Sequence, residues 1–424
     1  MQRVMEDQLD PIFQKAVDLK QVPGVAAVAL DRSGKVLFSK GYGHTRLDDP
    51  DAPDVTPESP CLMLSCTKLV TCIAALQLIE KRQLSIHDPV AKYVPEIQKV
   101  LQLHGFHSDG RPALRPPEKK VLVLHLLTHT SGFTYDTMDH VTLKYRLAVG
   151  QTPALYAARS AMEDYMTPLM FEPGSDFVYG ISIDWLGMIV ERISGQRLAD
   201  YVDHNILQPL SMRDTGVALT EFQENRFMNI HVKNAKGQLT PTSMRMVVDP
   251  EVSPGGIYLY STCSDYAQLL LTILNNGTHP TLHTTILQSE TVKSLLFTDM
   301  IPQVGCAPQG IGEIVTSMAT VNCEGTFLPG IQKGWSCGFM INNQPLPNGR
   351  KEGSGAWSGA GNCYYWIDPI AGKLGFVVCA VMPFFDKQVL HLADALERAV
   401  YNKPMAKEVG EAGSNFEGGN FKLD

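Results

Sequence analysis

The feature that most constrains the fold is a run of helical length without a polar face. Residues 69–80, Leu-Val-Thr-Cys-Ile-Ala-Ala-Leu-Gln-Leu-Ile-Glu, are apolar nearly all round. A helix of this kind has to be covered by protein on every side, so the run predicts a buried helix. At 424 residues the chain is long enough to build the surrounding core, as one large unit or as two closely joined subdomains.

The two ends of the chain carry strand patterns. Residues 25–30 and 35–38 flank the turn Asp-Arg-Ser-Gly at 31–34, which predicts an antiparallel hairpin. Three short apolar runs, at 336–342, 362–367 and 374–381, are separated by turn residues and precede a helical pattern at 387–402. These patterns predict one sheet assembled from both ends of the chain.

The stretch between these ends has mostly helical periodicity, interrupted by Pro/Gly loops. We therefore predict an α/β (α+β) protein, with an antiparallel sheet flanked by helices and a mainly helical subdomain inserted into it. The predicted sheet domain comprises 1–87 and 216–404, and the helical subdomain 88–215. Residues 405–424 are rich in Gly, Glu, Ser and Asn and predict a disordered tail.

Charge and composition remove several function classes. A net charge of −8 and a pI of about 5.8 argue against a nucleic-acid partner. No stretch reaches the roughly 18 consecutive apolar residues of a membrane span, and the N-terminal segment lacks a secretory pattern, so we expect a cytoplasmic protein without a membrane partner. The nine cysteines lack paired CxxC spacing and are expected to be reduced thiols. We also expect a monomer.

Ser65 and Lys68 are the first candidates for chemistry. Residues three apart on a helix lie on one face, so the Lys68 amine can reach the Ser65 hydroxyl. A serine hydroxyl is a weak nucleophile until a neighbour takes its proton, and burial favours the neutral amine that can do so. If Ser65 also opens the helix, its backbone N–H points into the site and can stabilise an oxyanion. SxxK alone is a weak signal, because it recurs by chance.

A set of ordered motifs makes the pattern specific. The motifs are Val-Pro-Gly at 22–24, SCTK at 65–68, IHDPV at 86–90, HLLTHTSG at 125–132, FEPG at 171–174, Tyr179, QPLSM at 208–212 and IDP at 367–369. Together they resemble the superfamily of serine β-lactamases, penicillin-binding proteins and esterases, and within it the class C and family VIII esterase branch. This resemblance implies a β-lactamase/transpeptidase-like fold with the site in the cleft between the two subdomains.

The resemblance assigns roles to further residues. Tyr179 matches the tyrosine of the second motif, which would shuttle the proton between Ser65, the leaving group and the second nucleophile. The family often has Tyr-x-Asn here, whereas this chain has Ile181. Trp357-Ser358-Gly359 stands where β-lactamases have Lys-Thr-Gly, which favours neutral esters or thioesters over penicillins.

The resemblance also implies the rest of the pocket. The backbone N–H groups of Ser65 and Ala360 would form the oxyanion hole. The substrate pocket would include Trp357, Ser358 and Gly359, and Tyr135 either lines it or packs in the core. No metal or organic cofactor is expected.

The activity implied by the resemblance is acyl transfer. Residues 109–115, 179–185 and 361–369 are similar to fungal acyltransferases of secondary metabolism. These imply an enzyme that moves an acyl group from a carrier-protein or CoA thioester, through a Ser65 ester, to a hydroxyl of a small secondary metabolite. A carboxylesterase or thioester hydrolase with the same residues is the alternative. A catalytically silent binding protein on this fold is the third possibility.

Two motifs offer competing sites. Gly334-Trp-Ser-Cys-Gly338 fits GxSxG and would make Ser336 a nucleophile, but strand-like residues follow it where a nucleophile elbow needs a helix. His125 and His129 are four apart like a metal pair, but the glutamate of HExxH and a third ligand are missing, so structural histidines are expected.

Overall fold

A computed structural model describes residues 2–151, 160–308 and 310–406. The predicted tail falls almost wholly on residues 407–424, which lie outside the described residues. The helices are α1 Gln2–Asp18, α2 Thr67–Glu80, α3 Val123–Leu127, α4 His140–Ala148, α5 Ser182–Ser194, α6 Leu198–Val202, α7 Glu221–Glu224, α8 Cys263–Leu274, α9 Ser289–Thr291, α10 Ile301–Val304 and α11 Lys387–Val400.

The strands form one large sheet and several short ones. They are β1 Gly24–Asp31, β2 Val36–Gly43, β3 Cys61–Leu62, β4 Gln102–Phe106, β5 Pro112–Arg115, β6 His231–Lys233, β7 Leu239–Pro241, β8 Tyr260–Ser261, β9 Glu313–Ile314, β10 Gly325–Thr326, β11 Lys333–Trp335, β12 Met340–Asn342, β13 Gly355–Gly359, β14 Cys363–Asp368, β15 Lys373–Val378 and β16 Val381–Met382.

The main sheet has seven strands in the order β11-β12-β13-β14-β15-β1-β2, and each neighbouring pair is antiparallel. β1 pairs with β15, so strands from the two halves of the chain meet as the fifth and sixth strands of this order. The predicted antiparallel sheet assembled from both ends of the chain is confirmed.

Helices cover both faces of this sheet. Phe376 of β15 packs against Tyr266 of α8, with ring centroids 4.9 Å apart. Lys373, three residues earlier, reaches the opposite side and donates to the carbonyl of Val400 in α11 at 2.6 Å. Residues an odd number apart on a strand point to opposite faces, so α8 lies on one face and α11, packed against α1, lies on the other.

Helix α2 is buried as predicted, with every residue from 67 to 78 inside the protein. It packs against α5 and α6, which belong to the region between the two halves of the sheet. Within residues 88–215 the structure has α3 to α6 and also the hairpin β4–β5, which the helical prediction for this region did not include. Gly110, at a φ of +83°, supplies the left-handed conformation that reverses the chain between these two strands. The domain boundaries at 88 and 216 remain a prediction.

In the described part of the chain, no helix combines the length and the apolar character needed to cross a membrane.

Candidate active site

Ser65 lies in the single 3-10 turn Leu64–Cys66, directly before α2. Lys68 is in the first turn of α2, and its Nζ is 3.2 Å from Ser65 Oγ. Both side chains are buried, at 7% and 2% exposure. The SxxK spacing therefore brings the two groups into hydrogen-bonding distance as expected.

Lys68 is held by three oxygens. Its Nζ donates to Tyr135 OH at 2.9 Å and to the Gly256 carbonyl at 3.1 Å, in addition to Ser65 Oγ. An ammonium group has three N–H donors, and a carbonyl oxygen can only accept. The arrangement therefore fits the charged form of Lys68, with one acceptor for each N–H.

Tyr179 lies beside this cluster and contacts strand β13. Lys68 Nζ is 4.8 Å from the centroid of the Tyr179 ring, a cation–π distance. The Tyr179 oxygen accepts a hydrogen bond from Trp357 Nε1 at 3.0 Å. A nearby cation and an N–H donor both stabilise negative charge on a phenol oxygen, so the surroundings suit a tyrosine that exchanges a proton.

Strand β13 forms one wall of the site. A Cβ on Gly359 would lie 2.2 Å from the carbonyl oxygen of Met63, so only glycine lets the strand approach the turn that holds Ser65. Trp357 and Ser358 on this strand, and Ala360 just after it, line a cleft that also contains Ser65 and Tyr179. Trp357 and Ser358 thus line the cleft, whereas Gly359 packs against the turn at Met63, and the roles that the resemblance assigns to this motif stay predictions.

The cleft is small and mostly apolar. Its volume is about 20 Å³, room for one or two water molecules. Its remaining walls are Met138, Ile314, Asn322 and Phe384, and among the described residues that line it none is ionisable apart from Tyr179.

The Asn322 amide donates to the Thr137 carbonyl at 3.0 Å and ties the segment after β9 to the loop that carries Tyr135.

The surroundings of His125 and His129 fit structural roles. Burial, and then the charge of Lys68, lower the pKa of His129 well below its usual value, and its ring lies 4.6 Å from that of Tyr179. His125 Nδ1 accepts the N–H of Leu122 at 3.2 Å. Over the described ranges, no group of three or more His, Cys, Asp or Glu side chains is arranged to hold a metal ion.

Ser336 lies outside the cleft. It is fully buried in the turn between β11 and β12, where its hydroxyl bonds to the backbone of Gly338 and Phe339. The strand predicted at 336–342 begins only at Met340, because these side-chain bonds close a turn at 336–339. Tyr135, for which a pocket role and a core role were both open, instead contacts Lys68.

Two residues near Lys68 went unnoticed in the sequence. Gly256, in Ser253-Pro-Gly-Gly256, supplies the carbonyl that accepts from Lys68. Asp184, in the motif at 179–185, accepts the N–H of Gly256 at 3.1 Å. Neither the spacing from Ser65 nor any local pattern indicates that these residues meet Lys68, since the contact depends on the tertiary fold.

The comparison with known proteins places the chain in a family. The family model described as Beta-lactamase matches residues 9–398, so the chain belongs to the β-lactamase family. With its relatives it is a serine acyltransferase or esterase.

Among the relatives is monacolin J acid methylbutanoyltransferase from Aspergillus terreus, 27% identical over 404 residues that cover 93% of this chain and 95% of that protein. A lovastatin esterase from Penicillium rubens is 32% identical over 207 residues, 49% of this chain and 52% of that protein. A mutant of simvastatin synthase from Aspergillus terreus has a similar structure, with a TM-score of 0.77, 28% identity and coverage of 93% of this chain and 94% of that one.

The Trp357 hydrogen bond gives a first prediction. Trp357→Phe keeps an aromatic ring but removes the N–H that donates to Tyr179, so the rate of acylation by an activated ester should fall about 10-fold. The matched control is Trp366→Phe on β14, whose indole nitrogen is buried without a hydrogen-bond partner. Stopped-flow release of p-nitrophenol measures both, and equal rates for Trp357→Phe and wild type would contradict the assignment.

His125 gives a prediction for stability. Burial, and then Lys119, lower the pKa of His125 to about 4 from 6.5. Below pH 6.5 the His125 imidazole binds a proton more readily in the unfolded chain than in the folded protein. Stability is therefore fully present above pH 6.5 and declines as the pH falls towards 4, by up to about 3 kcal/mol. Urea unfolding from pH 7 to 4.5 should show a shallower decline for His125→Gln than for wild type, and parallel declines would refute this.

Proposed function

We propose that this chain is an acyltransferase of secondary metabolism. It would take an acyl group from a CoA or carrier-protein thioester onto Ser65 and pass it to a hydroxyl of a small metabolite, such as a polyketide. The observation that carries the proposal is the meeting of Ser65, Lys68 and Tyr179 at one apolar cleft with β13 as its wall. The relative that transfers a methylbutanoyl group to monacolin J acid supports the reaction class.

The first half of the reaction forms the acyl-enzyme. Ser65 Oγ attacks the thioester carbonyl while its proton passes to the Tyr179 phenolate, which Lys68 and the Trp357 N–H stabilise. The carbonyl oxygen becomes negative and is held by the N–H groups of Ser65 and Ala360. The C–S bond then breaks, the thiolate takes the proton from Tyr179, and Ser65 carries an ester.

The second half reverses these roles. The acceptor hydroxyl gives its proton to Tyr179 and attacks the ester carbonyl, and the departing Ser65 oxygen takes that proton back. The product ester leaves, and Ser65, Lys68 and Tyr179 return to their starting protonation. Lys68 keeps all three hydrogen bonds in this scheme and acts as a fixed positive charge.

The cleft favours neutral substrates. Trp357 occupies the motif position at which β-lactamases have a lysine that binds the drug carboxylate. Ile181 stands where the family often has the Asn of Tyr-x-Asn. It is fully buried and has no side-chain amide to offer a substrate. These features support acyl esters and thioesters as substrates in preference to β-lactams.

A second candidate function is hydrolysis by the same residues. The lovastatin esterase among the relatives favours it. The choice depends on which nucleophile reaches the acyl-enzyme. The mostly apolar lining of the cleft supports transfer, because it offers few polar groups to hold a water molecule beside the ester.

The proposed donors are metabolites of the cell interior. The nine cysteines are free thiols, seven of them buried. Free thiols are typical of a reducing compartment, which supports a cytoplasmic location.

Intact mass spectrometry tests the proposal. Wild type and Ser65→Ala are incubated with a short acyl-CoA, with and without a panel of alcohols. We expect an adduct of one acyl group on wild type only, discharged faster by an alcohol than by water. Ser336→Ala is the matched control and should form the same adduct as wild type. Discharge by water alone would favour the esterase, and the lack of any adduct on wild type would favour the binding protein.

A further inference from the structure

One residue, Gly256, joins Lys68 to a buried carboxylate through two successive peptide groups. The carbonyl of Gly256 accepts from Lys68 Nζ at 3.1 Å, and the N–H of the same residue donates to Asp184 Oδ1 at 3.1 Å. The hydrogen bond to Asp184 fixes the backbone of Gly256, and so fixes the direction in which its carbonyl faces Lys68.

The two charged groups also lie close together in space. A Cβ built on Gly256 would be 3.0 Å from Lys68 Nζ and 2.9 Å from Asp184 Oδ2. Lys68 is 2% exposed and Asp184 is 1% exposed. A buried ammonium is costly without a compensating negative charge, and so is a buried carboxylate without a compensating positive one. Placing the two on either side of one glycine compensates both.

Helix α5 accounts for the position and the charge of Asp184. The residue lies in the first turn of α5, where the helix dipole favours a negative charge. Tyr179 lies three residues before the start of the same helix, so one segment of the chain brings both residues to Lys68.

The imidazole and the thiols around Lys68 do not supply this charge, and a Tyr179 phenolate supplies it only until it takes the proton of Ser65. Burial keeps His129 neutral, because it lowers the pKa of the imidazole. Burial raises the pKa of each of the two nearby thiols, which keeps them neutral too. The groups that face Lys68 from the elements around it are Cys66, Cys72, His129, Tyr135, Tyr179 and Asp184.

We propose that Asp184 is the counter-charge of Lys68 and, through the backbone of Gly256, positions the Lys68 ammonium between Ser65 and Tyr135. Asp184 is a positioning residue, since it acts on the reaction only through Lys68. The proposal rests on the proposed function, because it concerns the rate at which Ser65 becomes acylated.

The test is the pH profile of Ser65 acylation in Asp184→Asn. The amide oxygen can still accept the Gly256 N–H, so the substitution removes the charge and keeps the shape. Without the carboxylate, Lys68 loses its proton at lower pH. The alkaline limb of the acylation rate should therefore move to lower pH by about one unit or more, and the maximal rate should fall about 10-fold or more.

The matched control is Asp265→Asn. Asp265 is also a largely buried carboxylate in the first turn of a helix, α8, and it accepts the N–H of Asp214 and the hydroxyl of Thr215. Its variant should keep the wild-type pH profile. If Asp184→Asn does not fold, Gly256→Ala is the variant that tests the proposal. Its methyl group would push against Lys68 and should slow acylation of Ser65 about 10-fold or more.

The outcomes separate this proposal from the proposed function. If wild type forms no Ser65 adduct, the proposed function fails. If wild type is acylated and folded Asp184→Asn shows the wild-type alkaline limb, the counter-charge role is overturned, whatever the maximal rate. Acylation at the wild-type rate in Gly256→Ala would also overturn it.

Discussion

The buried Lys68 ammonium needs a hydrogen-bond acceptor for each of its N–H groups. Meeting this requirement brings together segments that are far apart along the chain. Its three acceptors come from the turn before α2, from the loop after α3 and from the segment before β8. A buried charge tolerates little displacement of its partners, because each lost hydrogen bond leaves a costly unsatisfied group. The loop after α3 and the segment before β8 are therefore tied to α2 at the proposed active site.

Much of the architecture could be predicted from the sequence. The all-round apolar character of α2 predicts its burial, and the alternation around the turn at 31–34 predicts the β1–β2 hairpin. The β4–β5 hairpin was missed because it is a short pair of strands in a region of helical periodicity. The turn at Ser336 was missed because its hydroxyl bonds, and not its apolar neighbours, set the backbone there.

The site could be predicted only in part, for a physical reason. Ser65 and Lys68 are close in sequence, so helical spacing alone indicates their contact. Tyr179 and β13 were found through resemblance, since no local pattern connects them to Ser65. Gly256 lies 188 residues from Lys68 along the chain, so its contact with Lys68 is set by packing alone. The same holds for Tyr135, whose hydroxyl could have faced the pocket or the core.

The surroundings of Ser65 also support the proposed preference for neutral acyl groups. The aromatic rings of Trp335, Trp357 and Tyr179 pack against one another, with centroids 4.6 to 6.1 Å apart. Aromatic packing of this kind holds the Tyr179 oxygen in place. The described residues that line the cleft include no lysine or arginine that could bind a substrate carboxylate.

The most direct test of the central claim is a crystal structure of the protein after reaction with a neutral aryl phosphonate, which mimics the tetrahedral intermediate. The account predicts phosphorus bonded to Ser65 Oγ and the phosphoryl oxygen within hydrogen-bonding distance of the N–H groups of Ser65 and Ala360. Lys68 should still contact Tyr135 and Gly256. Phosphorus on another residue, such as Ser336, or Lys68 displaced from both partners would contradict it.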